Sequence, residues 1–174
     1  MSFTPEETQI LDRIEKEGSD ALAELHGCAR CALMAIADHI DLADRDSIDT
    51  ALRAGITLSG GIAGTRHHCG ALLGGIMAIG IAGITDSPRV ASNEQKATAT
   101  KAARAFYRRF EREMGNVYCR DLREIGLGRQ FDTDDPDEVA KYKEAGGVEM
   151  CCNLVGKGAR MAAETILEMR RESA

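Results

Sequence analysis

The longest apolar run, residues 69–84, constrains the fold more than any other feature of this sequence. The run carries no charge, and it is shorter than the roughly 20 residues that a membrane-spanning helix needs. It is also rich in glycine, which favours a buried core helix packed closely by its neighbours. We therefore expect this run to form a buried central helix, and we expect no membrane span.

Apolar residues recur at helical spacing almost everywhere else in the chain. Alanine and leucine are common, whereas aromatic residues make up only 4% of the sequence. No internal repeat or long linker divides the 174 residues. The pattern predicts an all-α protein in which residues 1–174 form a single compact multi-helix bundle. A glycine-rich turn over residues 55–64 should precede the central helix.

Local signals predict where the individual helices begin and end. Thr4 to Glu7 form a capping box with Pro5 at the first helical position, opening a helix that Gly18 can close. The signal Thr85-Asp86-Ser87-Pro88 ends the central helix. The remaining predicted helices cover residues 19–40, 44–54, 90–114, 118–125, a brief segment from 135 to about 146, and 150–171.

The charge of the chain limits the partners that we expect. A net charge of −6 gives no general attraction for nucleic acid or for an anionic membrane. A local basic cluster is interpreted as a solvated helix face, and it consists of Lys101, Arg104, Arg108, Arg109 and Arg112. The N-terminal segment lacks the basic region and apolar core of a secretory signal, so we expect a cytoplasmic protein with reduced thiols.

The six cysteines are the main candidates for chemistry, and each lies near the start of a predicted helix. Cys28 and Cys31 are three residues apart and share a helix face. The others are Cys69, Cys119, and the adjacent pair Cys151 and Cys152. Four helices thus each present at least one thiol. If those faces converge, four sulfur atoms can meet, as both iron–sulfur clusters and tetrahedral zinc require.

Other interpretations of the cysteines stay open at this point. A free cysteine often packs as a small hydrophobic residue, and a Cys-x-x-Cys pair also occurs in thioredoxin-type redox sites. The residue after Cys31 is Ala32 rather than histidine, which excludes covalent attachment of c-type haem. Cys151 and Cys152 point about 100° apart on a helix, so only one of them can easily face a shared site.

Histidines are the second group of candidate ligands. His67 and His68 precede Cys69 directly, where they could ligate a metal, donate to a cluster sulfur, shuttle a proton or stand in solvent. His26 is a further candidate, and His39 is a weaker one because it lies at a polar helix end.

Several of these residues resemble the motifs of the redox-active C_GCAxxG_C_C family. The resemblance covers about residues 20–170. It rests on four segments: Cys28-Ala29, the motif Cys69-Gly70-Ala71-Leu72-Leu73-Gly74, the stretch Asn116-Val117-Tyr118-Cys119-Arg120-Asp121-Leu122, and Cys151 with Val155. Cys31, Cys152 and the His67-His68 pair depart from the family pattern, and we keep all four as additional candidate ligands.

The resemblance implies a cofactor. Related domains occur in split-Soret cytochromes, which implies an iron–sulfur cluster, [2Fe–2S], bound by the residues that match the family cysteines. By position these are Cys28, Cys69, Cys119 and Cys151, with Gly70 beside the cluster. No haem is implied, because the haem-binding portion of those cytochromes has no counterpart here.

We therefore expect a small redox protein that transfers electrons to a partner protein rather than a stand-alone enzyme. A homodimer is plausible, and neither nucleic acid nor membrane is an expected partner. One alternative is a metal-free thiol/disulfide oxidoreductase that uses Cys28 and Cys31 or a long-range pair. The other is a helical interaction module stabilised by zinc.

Overall fold

The computed structural model describes residues 2–85, 87 and 89–173, and helices dominate this part of the chain. The helices are α1 (Pro5–Leu25), α2 (Cys28–Ala37), α3 (Arg45–Gly55), α4 (Gly70–Gly83), α5 (Asn93–Met114), α6 (Cys119–Leu127), α7 (Pro136–Glu144) and α8 (Gly147–Ser173). A short 3-10 turn, Ile56–Leu58, lies in the glycine-rich connection before α4. The described residues form no strand beyond one isolated bridge, so the prediction of an all-α bundle is confirmed.

Helix α4 is the centre of the bundle, as its sequence predicts. It packs against α2, α5 and α8, while α1 packs along α8. Glycines allow the close approach: a Cβ added at Gly75 would lie 2.6 Å from the ring of Phe106. Large side chains such as Phe106, Phe110 and Ile79 lie in the core with no exposed surface. No described helix is both long enough and apolar enough to cross a bilayer.

The N-terminus of α1 has the capping box that its sequence predicts. The N–H of Glu7 donates to Oγ1 of Thr4 at 3.2 Å, and the N–H of Thr4 donates to Oε2 of Glu7 at 2.8 Å. Each bond gives a partner to a backbone donor that the helix cannot satisfy internally.

Removing this cap should have a measurable cost. We expect Thr4→Ala to lower the free energy of unfolding by about 1 kcal/mol. For a chain of this length the melting temperature should fall by about 3 °C, measured by circular dichroism. Thr8→Ala is the control, because the Thr8 hydroxyl bonds only within the helix, to the carbonyl of Thr4. Equal losses in the two variants would contradict the capping role.

The prediction that Gly18 ends the first helix is wrong. Helix α1 continues to Leu25, and Gly18 lies buried within it. A Cβ at this position would contact Cβ of Ala35 at 3.4 Å and Cβ of Ala159 at 3.5 Å. Gly18 therefore serves close packing of α1 against α2 and α8 rather than helix termination.

The predicted helix over residues 19–40 is also wrong, because the chain breaks at His26 and Gly27. Both residues have positive φ, 55° and 89°, which interrupts the helical backbone. The break separates α1 from α2 and makes Cys28 the first residue of a new helix.

The other predicted boundaries fall within a few residues of the observed helices. Cys69 is the N-cap of α4 and Ile84 is its C-cap. Gly115 caps α5 with φ of 87°, as expected of a glycine stop signal. Of the predicted end signal after α4, Asp86 and Pro88 lie outside the described residues.

Candidate functional site

A cavity at one end of α4 contains the thiols of Cys28, Cys69, Cys119 and Cys151. The cavity has a volume of about 20 Å³, which exceeds the space that one water molecule needs. Each cysteine comes from a different helix or helix end, so the fold brings together the four residues that match the family cysteines. The rest of its lining is mostly apolar or glycine: Gly60, Gly70, Leu122, Met150, Leu154, Val155 and the side chain of Arg123.

All four cysteines lie near the N-terminal ends of helices. Cys28 begins α2, Cys69 caps α4, Cys119 begins α6, and Cys151 lies in the early turns of α8. Unpaired N–H groups and the helix dipole make such ends favourable for negative charge. The arrangement therefore suits sulfur atoms in their anionic form.

Backbone hydrogen bonds hold Cys69 and Cys119 together. The N–H of Cys69 donates to the carbonyl of Val117 at 2.8 Å, and the N–H of Cys119 donates to the carbonyl of His67 at 2.6 Å. We call this pair of bonds the backbone bridge. It joins the chain entering α4 to the chain entering α6, so main-chain bonds fix the relative position of the Cys69 and Cys119 backbones.

Gly70 allows Cys28 to reach the cavity. A Cβ at Gly70 would lie 2.7 Å from Cβ of Cys28, a separation that real side chains essentially never show. The requirement for glycine in the Cys69-Gly70 motif is therefore steric: α2 and the start of α4 approach too closely for any side chain.

Burial controls the acidity of the cavity thiols. Burial, with a smaller contribution from the nearby Cys151, raises the pKa of Cys28 to about 12. Burial also raises the pKa of Cys69 strongly, an effect that backbone amides of Ala71 and Leu72 partly oppose. The pKa of Cys119 is raised for the same principal reason. Without a bound cation, these thiols are protonated at neutral pH.

Arg123 places a positive charge at the wall of the cavity. Its Nε and Nη1 atoms are buried and have no hydrogen-bond partner among the described residues. The guanidinium carbon lies 4.6 Å from the centre of the Tyr142 ring. The positive charge of Arg123 acts to lower the pKa of Cys119, against the larger effect of burial.

Tyr142 contacts two residues of the cavity lining, Arg123 and Cys151. Its hydroxyl donates to the carbonyl of Gly147 at 2.6 Å and lies 3.1 Å from Sγ of Cys151. With the phenolic proton on the carbonyl, the phenol oxygen can accept the S–H of Cys151. Tyr142 therefore fixes the direction in which the Cys151 thiol points.

Sequence reasoning missed both Arg123 and Tyr142. A signal for Arg123 exists: it lies four residues after Cys119, and that spacing places two side chains on one helix face. Tyr142 comes from α7, and nothing local relates it to Cys151.

The two additional cysteines do not line the cavity. Cys31 is fully buried, and its thiol donates to the carbonyl of His26 at 3.2 Å. Cys152 is also buried, one position after the cavity residue Cys151. All six cysteines are free thiols. Cys31 and Cys152 thus pack in the core, although both remain within two helices that carry cavity thiols.

The histidine pair lies outside the cavity lining, next to the backbone bridge. Nδ1 of His67 and Nδ1 of His68 are 2.8 Å apart, and Nε2 of His68 is 3.4 Å from the hydroxyl of Tyr107. His67 is exposed, whereas His68 is partly buried. The other two candidate ligands do not line the cavity. The His39 ring bonds to Glu17, and the carbonyl of His26 accepts the hydrogen bond from the Cys31 thiol.

The described residues contain no group of three or more His, Cys, Asp or Glu side chains that could hold a metal ion as they are arranged. The four cavity thiols line a common space instead of crowding one point. Their role as ligands therefore remains a prediction.

Comparison with known proteins gives one match. No protein of curated function and no solved structure matches the chain. One family profile matches residues 26–165, which is most of the chain, and its description is "Putative redox-active protein (C_GCAxxG_C_C)". The matched region contains all four cavity cysteines and the Cys69-Gly70 motif. The chain therefore belongs to the C_GCAxxG_C_C family of redox-active proteins.

Proposed function

We propose that this protein binds an iron–sulfur cluster through Cys28, Cys69, Cys119 and Cys151 and acts in electron transfer. The observation that carries the proposal is the convergence of these four thiols on one cavity from four separate parts of the chain. Four cysteine thiolates are the usual ligand set of both [2Fe–2S] and [4Fe–4S] clusters. We favour [2Fe–2S] from the resemblance to the domains of split-Soret cytochromes.

The residues around the thiols fit such a group. The cluster would supply one-electron redox chemistry, and the four cysteines would hold it. Amides of Ala71 and Leu72 favour the anionic form of Cys69, which a ligand must adopt. Leu122, Leu154 and Val155 form an apolar wall that limits access of water, and burial of this kind helps to set the reduction potential.

The raised pKa values favour metal binding over metal-free thiol chemistry. A cysteine that attacks a disulfide or a substrate needs an accessible thiol with a lowered pKa. Here burial raises the pKa of Cys28 to about 12 and also raises that of Cys69. A coordinated metal deprotonates a thiol outright, so high pKa values in the free protein do not prevent cluster ligation.

Anaerobic reconstitution with iron and sulfide tests the proposal. We expect visible absorption typical of a thiolate-ligated cluster, with iron and inorganic sulfide bound in equal amounts and a reversible one-electron reduction. Binding of zinc alone, without sulfide or colour, would support the interaction-module alternative instead. A colourless protein with a reversible Cys28–Cys31 disulfide, detected by thiol trapping and mass spectrometry, would support the thiol/disulfide alternative.

A further inference from the structure

We propose that Arg123 is the buried counter-charge of the four-cysteine cavity and that its Nε–H and Nη1–H groups donate to the anionic sulfur-bound centre held there. The inference rests on the proposed function and adds a positioning residue that the family motif does not include. It starts from two buried donor atoms without a partner among the described residues.

Unpaired buried donors need an explanation in a folded protein. Leaving a charged donor without an acceptor in a buried place costs more than leaving a neutral one. Arg123 lines the cavity together with the four thiols. An acceptor inside the cavity would satisfy both donors, and an anionic sulfur atom is such an acceptor.

The contact with Tyr142 is compatible with this role. The guanidinium carbon lies 4.6 Å from the ring centre, so the aromatic face attracts the cation without using its N–H groups. The hydrogens of a guanidinium lie in its plane and point outward. The tyrosine can therefore hold Arg123 in place while Nε and Nη1 stay free to donate into the cavity.

The charge has a definite effect on electron transfer. Four thiolate ligands give an iron–sulfur centre a net negative charge, and reduction adds one more negative charge. A nearby fixed cation stabilises the reduced form more than the oxidised form. Arg123 should therefore raise the reduction potential of the centre.

Two variants and one control test the inference. Arg123→Met keeps an apolar stem and removes the charge, whereas Arg123→Lys keeps the charge but loses the fork of donors. Arg108→Met on α5 removes one exposed positive charge and serves as the control. We measure the melting temperature of each apo protein, and then the reduction potential of each reconstituted protein by spectroelectrochemistry.

For Arg123→Met, we expect a higher melting temperature in the apo protein and a lower reduction potential in the reconstituted protein. Apo Arg123→Met should melt about 3 °C higher than the wild type, because two buried donors without an acceptor are gone. Its reconstituted form should have a lower reduction potential than the wild type. Arg123→Lys should lie between the two, and Arg108→Met should match the wild type in both measurements.

Two results would overturn the inference. The first is a lower melting temperature of apo Arg123→Met, which would mean that the side chain stabilises the protein without any bound anion. The second is an unchanged reduction potential of Arg123→Met after reconstitution. If the wild type takes up no cluster, the proposed function fails, but the apo measurement still decides the role of Arg123. A higher melting temperature would then support an anionic occupant of a different kind, and a lower one would overturn the counter-charge role of Arg123.

Discussion

Serine at Cys28 or Cys151 should abolish cluster binding, whereas serine at Cys31 or Cys152 should leave it intact. Cys28 and Cys31 both lie on α2, and Cys151 and Cys152 both lie on α8. The two variants on each helix therefore differ in position and not in chemistry. Only Cys28 and Cys151 line the cavity. The thiol of Cys31 donates to the carbonyl of His26, a bond that a serine hydroxyl can also make.

The difference between the matched variants should be large. Losing a residue that hydrogen-bonds to a metal ligand already lowers metal affinity by about 10 to 100-fold. Losing a ligand itself should therefore reduce retained iron by at least about tenfold. Iron and sulfide are measured after anaerobic reconstitution and gel filtration, with circular dichroism to check that each variant folds. Equal iron retention in Cys28→Ser and Cys31→Ser would remove Cys28 from the ligand set.

Alanine at Gly74 should destabilise the whole protein. A Cβ at this position would clash with the carbonyl oxygen of Ala29 and would lie 2.9 Å from Cβ of Ala32. Both neighbours belong to α2, and a backbone carbonyl cannot rotate away as a flexible side chain can. Overpacking of this kind costs about 1–3 kcal/mol, so the melting temperature should fall by about 3 to 10 °C.

Gly80→Ala is the control on the same helix. No described atom lies within 4 Å of a Cβ added there, so alanine should raise the free energy of unfolding by about 0.5–1 kcal/mol. Because Ala29 follows Cys28, Gly74→Ala should also displace a cavity thiol and reduce iron retention. Chemical denaturation and iron analysis measure the two effects. A neutral Gly74→Ala variant would contradict the close packing of α4 on α2.

Local signals predicted most of the fold because helix caps act over a few residues. The capping box at Thr4 and the glycine stop at Gly115 work within one turn, so a single stretch of sequence contains the whole cause. The long uncharged run likewise predicted a buried central helix, because its composition leaves no polar face.

The errors in the predicted helix boundaries arose where contacts between helices determine the backbone conformation. Glycine is a common helix stop signal, but Gly18 lies inside α1. It allows close packing against Ala35 and Ala159 of other helices. The break at His26 requires positive φ at a residue other than glycine, which local preference disfavours. Contacts that exist only in the folded protein hold that conformation, including the bond from the Cys31 thiol to the His26 carbonyl.

The candidate site was predictable in its cysteines and not in its surroundings. The family motif identified four residues that the fold brings to one cavity, including Cys69 and Cys119. Sequence spacing could not separate Cys28 from Cys31, because both lie in the first turn of α2 and their directions depend on packing. Tyr142 was beyond reach for a related reason, since its contact with Cys151 joins two helices.

The backbone bridge fixes the relative position of Cys69 and Cys119 without using any side-chain atom. It consists of main-chain N–H and carbonyl groups of Cys69, Val117, Cys119 and His67, which every amino acid except proline can supply. The exposed side chain at position 67 can therefore change without removing these bonds, whereas Val117 is buried and packs in the core. A substitution at position 67 can thus alter the outer surface while the backbones of Cys69 and Cys119 keep their relative position.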